Sequence, residues 1–348
     1  METMTYKRVA PFFVILAAIF WGILVVFVRT FGQAEFESME IVTLRVYSSA
    51  VFAWIFLMIF EKRSQQKSTP KPSSVAGKEQ QLHDPDHINN TLISSNTEGP
   101  INTPIHFRIR DSWCFVGTGL ISIVFFSYCY FRNVEESSAA VASILMYTSP
   151  IFVTLLSAVF FKEKITKTKL LALLLAIIGC ALVSGVAGSI ELASPFSITG
   201  GIGNTTPLGI ALGLGSGIGY ALYSIFGRFA LNKGYSPFMV TAMTFTFACV
   251  GVLPFINVTQ LCERLISEPG YIILALAMGL FGSCTPFALY TVGLKNMEAG
   301  KAAILATLEP IVTALVGTFL YKEPIDLFII IGIFMVLVAG ILCSQTKK

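Results

Sequence analysis

Ten apolar runs, each of about twenty residues, recur along the whole of this 348-residue chain. They fall at about 9–30, 41–60, 113–131, 138–161, 168–187, 207–230, 238–257, 271–293, 299–320 and 326–343. A helix of ~20 residues crosses the ~30 Å hydrocarbon core of a bilayer. Lipid offers no hydrogen bonds to the backbone, so a spanning segment must satisfy its own polar groups, as a helix does. Only 13% of the residues are charged, where a soluble domain carries roughly a quarter, and the mean hydropathy is +0.74. The sequence predicts an all-α integral membrane protein of ten transmembrane helices, with the lipid bilayer as its surroundings.

Lysine and arginine orient these helices. With the N-terminal end in the cytoplasm and one crossing per run, cytoplasmic segments hold Lys7, Arg8, Lys62, Arg63, Lys162, Lys164, Lys167, Lys169, Arg228, Lys233, Lys295 and Lys301. Outward ends and loops keep Arg29, Arg45, Arg132, Arg264 and Lys322. Positive charge stays on the cytoplasmic side of a membrane protein. Both termini are therefore expected inside, in a bacterial plasma (inner) membrane. The first run, preceded by Lys7 and Arg8, has too long an apolar core for a signal peptide and ends in Arg29, so it is read as a helix.

Residues 61–111 differ in kind. Rich in Ser, Pro, Asn and Gln and without apolar periodicity, they predict a disordered cytoplasmic loop. His83, Asp84, Asp86 and His87 lie there, interrupted by Pro85, and are read as solvated side chains and not as a metal site. The remaining histidine is His106, so none stands in an apolar run. That excludes the usual intramembrane metalloprotease ligands and a Ser-His dyad. No P-loop is present to power transport with ATP. The seven cysteines form no CxxC pair and read as small helix filler. No cofactor, metal, enzymatic activity or nucleic-acid partner is expected.

The chain also repeats itself. "YFRNVEESSAAVASILMYTSPIFVTLLSAVFFKEKI" from Tyr130 aligns without a gap to "YTVGLKNMEAGKAAILATLEPIVTALVGTFLYKEPI" from Tyr290. Tyr130 meets Tyr290, Pro150 meets Pro310, and Lys162-Glu163 meets Lys322-Glu323. Generic hydrophobicity does not put a proline, a tyrosine and a Lys-Glu pair in one register. The chain thus reads as two five-helix repeats, 1–190 and 200–348. An odd number of spans makes the second repeat enter from the opposite face, and inverted-topology repeats of this kind are typical of secondary transporters.

On these residues a family resemblance becomes specific. The "FWG" at 20–22, Arg45 in "TLRVYSSA", "SPIFVTLLSAVFFKE" at 149–163 and "LEPIVTALVGTFLYKE" at 308–323 resemble the EamA family of the drug/metabolite transporter (DMT) superfamily. The likeness covers all but the 61–111 loop. It implies a ten-helix carrier with a central cavity between the repeats, commonly exporting amino acids or other small metabolites.

The candidate site starts at Glu309. An ionised acid at a helix centre costs about 2.5–3.5 kcal/mol on insertion scales. Keeping it protonated at pH 7 costs about 3.7 kcal/mol from a reference pKa near 4.3. With the two costs similar, the surroundings decide, and the residue can exchange a proton between conformations. Glu309 is expected in the cavity, coupling transport to protons or holding a cationic group of the substrate; the competing reading is a polar network that only supports packing. Pro150 and Pro310 each free the carbonyl four residues earlier, at Met146 and Ala306, which predicts paired kinks at the cavity wall. Pro286 is placed to do the same in the eighth span. Arg45 is expected either to snorkel outward or to meet a substrate carboxylate, and the resemblance favours the second. Trp21, Tyr128, Tyr130, Tyr147, Tyr220, Tyr223 and Tyr290 lie within spans and carry donors that need partners, so they complete the candidate lining.

The expectation is a secondary active transporter, monomer or homodimer, exporting a small-molecule substrate by alternating access, with proton coupling open. An organic-phosphate or nucleotide-sugar exchanger would need more cations than Arg45 within the spans. A non-transporting regulator would act through the 61–111 loop.

Overall fold

The computed structural model describes residues 2–68, 107–137, 139–184 and 206–345. Most of the expected loop, with His83, Asp84, Asp86, His87 and His106, lies outside the described residues, while its first residues continue the second helix to Ser68. The described chain is helical, with no strand among the described residues. Nine of its helical stretches are long and apolar enough to cross a membrane. The fifth expected run is a helix of 17 residues, Lys167–Val183, close to the end of the described first repeat at residue 184.

The first repeat opens with α1 (Glu2–Gln33) and α2 (Ser38–Ser68). Its third span joins α3 (Ser112–Val116) to α4 (Phe125–Glu136) through a π-helical stretch, Gly117–Val124. The fourth span is α5 (Ala139–Met146) and α6 (Ser149–Phe161), the fifth α7 (Lys167–Val183). The second repeat runs α8 (Pro207–Asn232), α9 (Pro237–Val252), a short connecting α10 (Val258–Ser267) and α11 (Gly270–Ala277). It continues through a second π-helical stretch, Met278–Cys284, into α12 (Thr285–Asn296), then α13 (Ala299–Ala306), α14 (Glu309–Tyr321) and α15 (Leu327–Gln345).

Local chemistry explains the boundaries. Thr166, Thr206 and Ser236 each accept a hydrogen bond from the amide three residues on, and Pro207 and Pro237 follow two of these caps. The prolines expected to kink the fourth and ninth spans go further and interrupt them. Pro150 stands at the second position of α6 and Pro310 at the second of α14. Before each, two residues leave the helix: Tyr147 and Thr148 in one span, Thr307 and Leu308 in the other. Thr148 Oγ1 donates to the Leu145 carbonyl and Thr307 Oγ1 to that of Ile304, both at 2.6 Å, so groups released by the break are still satisfied in lipid.

The two repeats correspond closely. Lys162 ends α6 in the left-handed region (φ 55°) and Lys322 ends α14 the same way (φ 57°). The repeats also pack as inverted partners: α2 lies along α9, α6 along α13 and α7 along α15, while α1 meets α12 as α8 meets α4. The fold is all-α, a ten-helix membrane bundle of two inverted five-helix repeats.

Candidate functional site

Between the repeats lies a cavity of about 430 Å³. The helix breaks shape its wall. Tyr147, in the first break, and Glu309, at the end of the second, both face the cavity. Gly22 of the "FWG" segment lets α1 come close at this point, since a Cβ there would fall 2.9 Å from the Glu309 carbonyl oxygen. Thr313 Oγ1 adds a long hydrogen bond, 3.4 Å, to the Gly22 carbonyl.

Glu309 receives a hydrogen bond from the Tyr220 hydroxyl at 3.4 Å. Arg45 lines the same cavity from α2, and its Nη2 donates to Ser127 Oγ at 3.4 Å. Among the described residues Arg45 and Glu309 form no ion pair within 4 Å. The cavity thus holds one carboxylate and one guanidinium, each with a weak protein partner and open to a ligand.

Aromatic rings surround them. Trp21 is buried, with its ring 5.4 Å from that of Tyr290, 6.3 Å from Tyr220 and 5.2 Å from Phe287. Tyr223 and Thr291 share a hydrogen bond of 2.7 Å, as do Tyr290 and Ser224. Tyr130 pairs with Ser143 at 3.2 Å. These bonds fix the rings and leave their faces and edges to the cavity.

Of the residues proposed from sequence, Glu309, Arg45, Trp21, Tyr130, Tyr147, Tyr220, Tyr223 and Tyr290 line the cavity together. Tyr128 does not: it is exposed on the outside of the bundle, its ring 5.2 Å from Phe255. Pro150 and Pro310 are buried behind the wall. Ser122, Ser127, Ser143, Phe126 and Phe287 also line the cavity. Short hydroxyl and phenyl side chains recur along most spans of this chain, so no sequence signal singles them out.

The cavity reaches toward the end of the bundle that carries Ser38 and Val134. At the opposite end charged residues, among them Glu163, Lys169, Arg228, Glu298 and Lys301, line a separate pocket of about 650 Å³ that shares no lining residue with the cavity, so the cavity is closed toward that end. No cluster of His, Cys, Asp or Glu among the described residues has the makings of a metal site.

Known proteins place this architecture. The family model described as "EamA-like transporter family" matches residues 92–185 and 207–345. An uncharacterized transporter of Archaeoglobus fulgidus is 28% identical over 215 residues, covering 62% of this chain and 70% of its own length. The uncharacterized transporter YyaM of Bacillus subtilis is 27% identical over 237 residues, 68% of this chain and 74% of YyaM. A solved crystal structure with a TM-score of 0.65 and 13% identity covers 96% of this chain and 95% of its own, a likeness of fold. Two matched segments in the two inverted repeats, together over more than half the sequence, make this chain a member of the EamA-like transporter family, and so a membrane transporter.

Proposed function

We propose that the protein is a secondary active transporter that exports small organic metabolites, amino acids among them, by alternating access. The observation that carries this reading is that Glu309 and Arg45 both line one aromatic cavity between the two repeats. A carboxylate for a cationic group, a guanidinium for an anionic group and rings for an apolar body suit a small zwitterion better than a polyanion. Arg45 is the cationic residue on that wall, which weighs against an organic-phosphate or nucleotide-sugar exchanger.

Sequence charge supports the orientation with both termini in the cytoplasm of a plasma (inner) membrane. In that orientation the cavity opens outward and the Lys169 end is the closed cytoplasmic one. Glu309 is then accessible to the outer solution, where it takes up a proton as solute leaves, and it gives that proton up to the inside when the next solute binds. The regulator reading places function in residues 61–111 and gives no role to the cavity.

Metabolite profiling of the medium around cells expressing the wild type, Glu309→Gln or an empty vector tests the proposal. A zwitterionic solute enriched by the wild type and not by Glu309→Gln is the expected result. Equal profiles from wild type and vector, with the protein in the membrane, would overturn export.

A further inference from the structure

The two ends of the bundle are built from equivalent residues that are held differently. At the closed end, Glu163 follows the left-handed Lys162 and turns its carboxylate onto the start of α13. Oε1 accepts from the Ala299 amide at 2.8 Å and Oε2 from the Gly300 amide at 3.3 Å. Lys169 Nζ donates to the same Oε2 at 3.2 Å and lies 3.6 Å from the Glu298 carboxylate. The side chains of Lys169 and Glu163 are 2% and 7% exposed, so this is a buried lock and not a surface pair. Arg228 completes it by donating to the carbonyls of Leu294 and Met297, 2.7 Å for the latter, at the junction just before α13. Every one of these bonds except the Glu163–Lys169 pair ties an earlier part of the chain to residues 294–300. Glu163 and Lys169 belong to the first repeat, and the start of α13 to the second.

At the open end the matching glutamate, arginine and helix are present, but the glutamate is paired elsewhere. Glu323 follows the left-handed Lys322, and its amide bonds to the Gly317 carbonyl as that of Glu163 does to Ser157. Its side chain, however, is 47% exposed and pairs with Arg29 at 2.6 Å. Arg29 stands eight residues beyond Trp21 on α1, as Arg228 stands eight beyond Tyr220 on α8. The helix equivalent to α13 is α5, beginning at Ala139. Where Lys169 lies after Glu163, the residue after Glu323 in that register is Ile329.

We propose that Glu163 and Glu323 are the two latches of the transport cycle. Glu163, seated on the start of α13 and on Lys169, holds one end shut; Glu323 leaves Arg29 and takes the start of α5 when that end closes and Glu163 lets go. Charge-assisted hydrogen bonds to helix amides suit this use, because they are strong when seated and are replaced by water when an end opens. Ile329 in place of a lysine makes the Glu323 latch the weaker one, so the state with Glu163 seated is the resting state. The purpose of the latches rests on the transporter reading, but their test does not.

The probe is a membrane-impermeant thiol reagent acting on Thr313→Cys, a partly exposed position on the cavity wall. The background carries Cys249→Ser and Cys262→Ser, since the other cysteines are buried; this background without Thr313→Cys sets zero. Vesicles of both orientations present either end to the reagent. Glu163→Gln is expected to raise labelling from the Lys169 end about tenfold, the shift that loss of a charged hydrogen-bonded contact gives a two-state equilibrium. Adding Glu323→Gln is expected to bring that labelling back toward the parent level. If Glu163→Gln does not fold, Glu163→Asp keeps a charge for Lys169 but falls short of the two amides, and is expected to raise labelling by a smaller factor. Labelling at the parent level in folded Glu163 variants, or a further rise on adding Glu323→Gln, would overturn the latches. Shifted labelling in a protein that exports nothing would keep the latches and overturn export; unshifted labelling in an active exporter would do the reverse.

Discussion

Gly179 and Gly332 meet backbone to backbone where α7 crosses α15. A Cβ on Gly179 would fall 2.8 Å from the Gly332 carbonyl oxygen, and one on Gly332 would fall 2.7 Å from that of Gly179. Both atoms are backbone, so neither can swing aside. This contact joins the last span of each repeat, as small residues do between membrane helices.

Gly332→Val is therefore expected to destabilise the protein by about 1–3 kcal/mol, the usual cost of overpacking. The midpoint of thermal unfolding of purified protein in one detergent, compared with wild type, measures it. Gly32 is the control, since a Cβ added there would meet no atom within 4 Å. Gly32→Ala is expected to leave the midpoint within the ~0.5 kcal/mol typical of surface changes.

Glu309→Gln keeps the volume of the side chain and a partner for Tyr220 but removes the charge. Solute flux in vesicles is expected to fall about tenfold or more, as for loss of a hydrogen bond to a charged group. The wild-type flux is expected to respond to an imposed proton gradient, and that of Glu309→Gln not to. A variant that keeps the proton response would remove Glu309 from coupling. Arg45, Tyr130, Tyr147 and Tyr220 are other titratable groups on the cavity wall, and they are where the response would then be sought.

For Arg45→Gln the expected change is in apparent affinity: about a tenfold higher half-saturating concentration for a solute with a carboxylate, and little change for its amide. Flux measured against concentration for the two solutes separates this from a folding defect, which lowers both. Tyr128→Ala, on the outer surface, is expected to change neither.

Deleting residues 69–106 is expected to leave flux within about twofold of wild type, since a stretch rich in Ser, Pro, Asn and Gln and without apolar periodicity supplies no spanning helix. Loss of activity in a deletion that still reaches the membrane would revive the regulator reading.

The features legible in the sequence are those with a local cause. The apolar runs, Pro150 with Pro310, and the Lys-Glu pairs that follow the fourth and ninth spans are visible within one stretch of chain. Whether a proline bends a span or breaks it is not, because the answer lies in neighbours: Thr148 and Thr307 satisfy carbonyls within the break, and Gly22 on α1 admits the backbone of Glu309. The carboxylate of Glu309 is conspicuous among apolar residues, but its partner Tyr220 is 89 positions away. Tyr128 and Tyr130 are two residues apart and so about 200° apart around a helix; one faces lipid and the other the cavity. Hydropathy does not separate them, because both surroundings are largely apolar. Lys169 reads as a cytoplasmic surface lysine, and only the assembled repeats show it buried against Glu163.

The π-helical stretches Gly117–Val124 and Met278–Cys284 stand at matching depth, one leading into Phe125 and the other into Thr285. Each is braced by the helix beside it: Thr244 Oγ1 bonds to Thr118 Oγ1 at 2.7 Å, and Ser49 Oγ donates to the Gly279 carbonyl at 3.1 Å. A π turn is an α-helix with an added residue, and it weakens the helix that carries it. Two separate additions at one depth would be a coincidence working against stability twice. A single five-helix unit that carries the widened turn, present twice in inverted orientation, accounts for both.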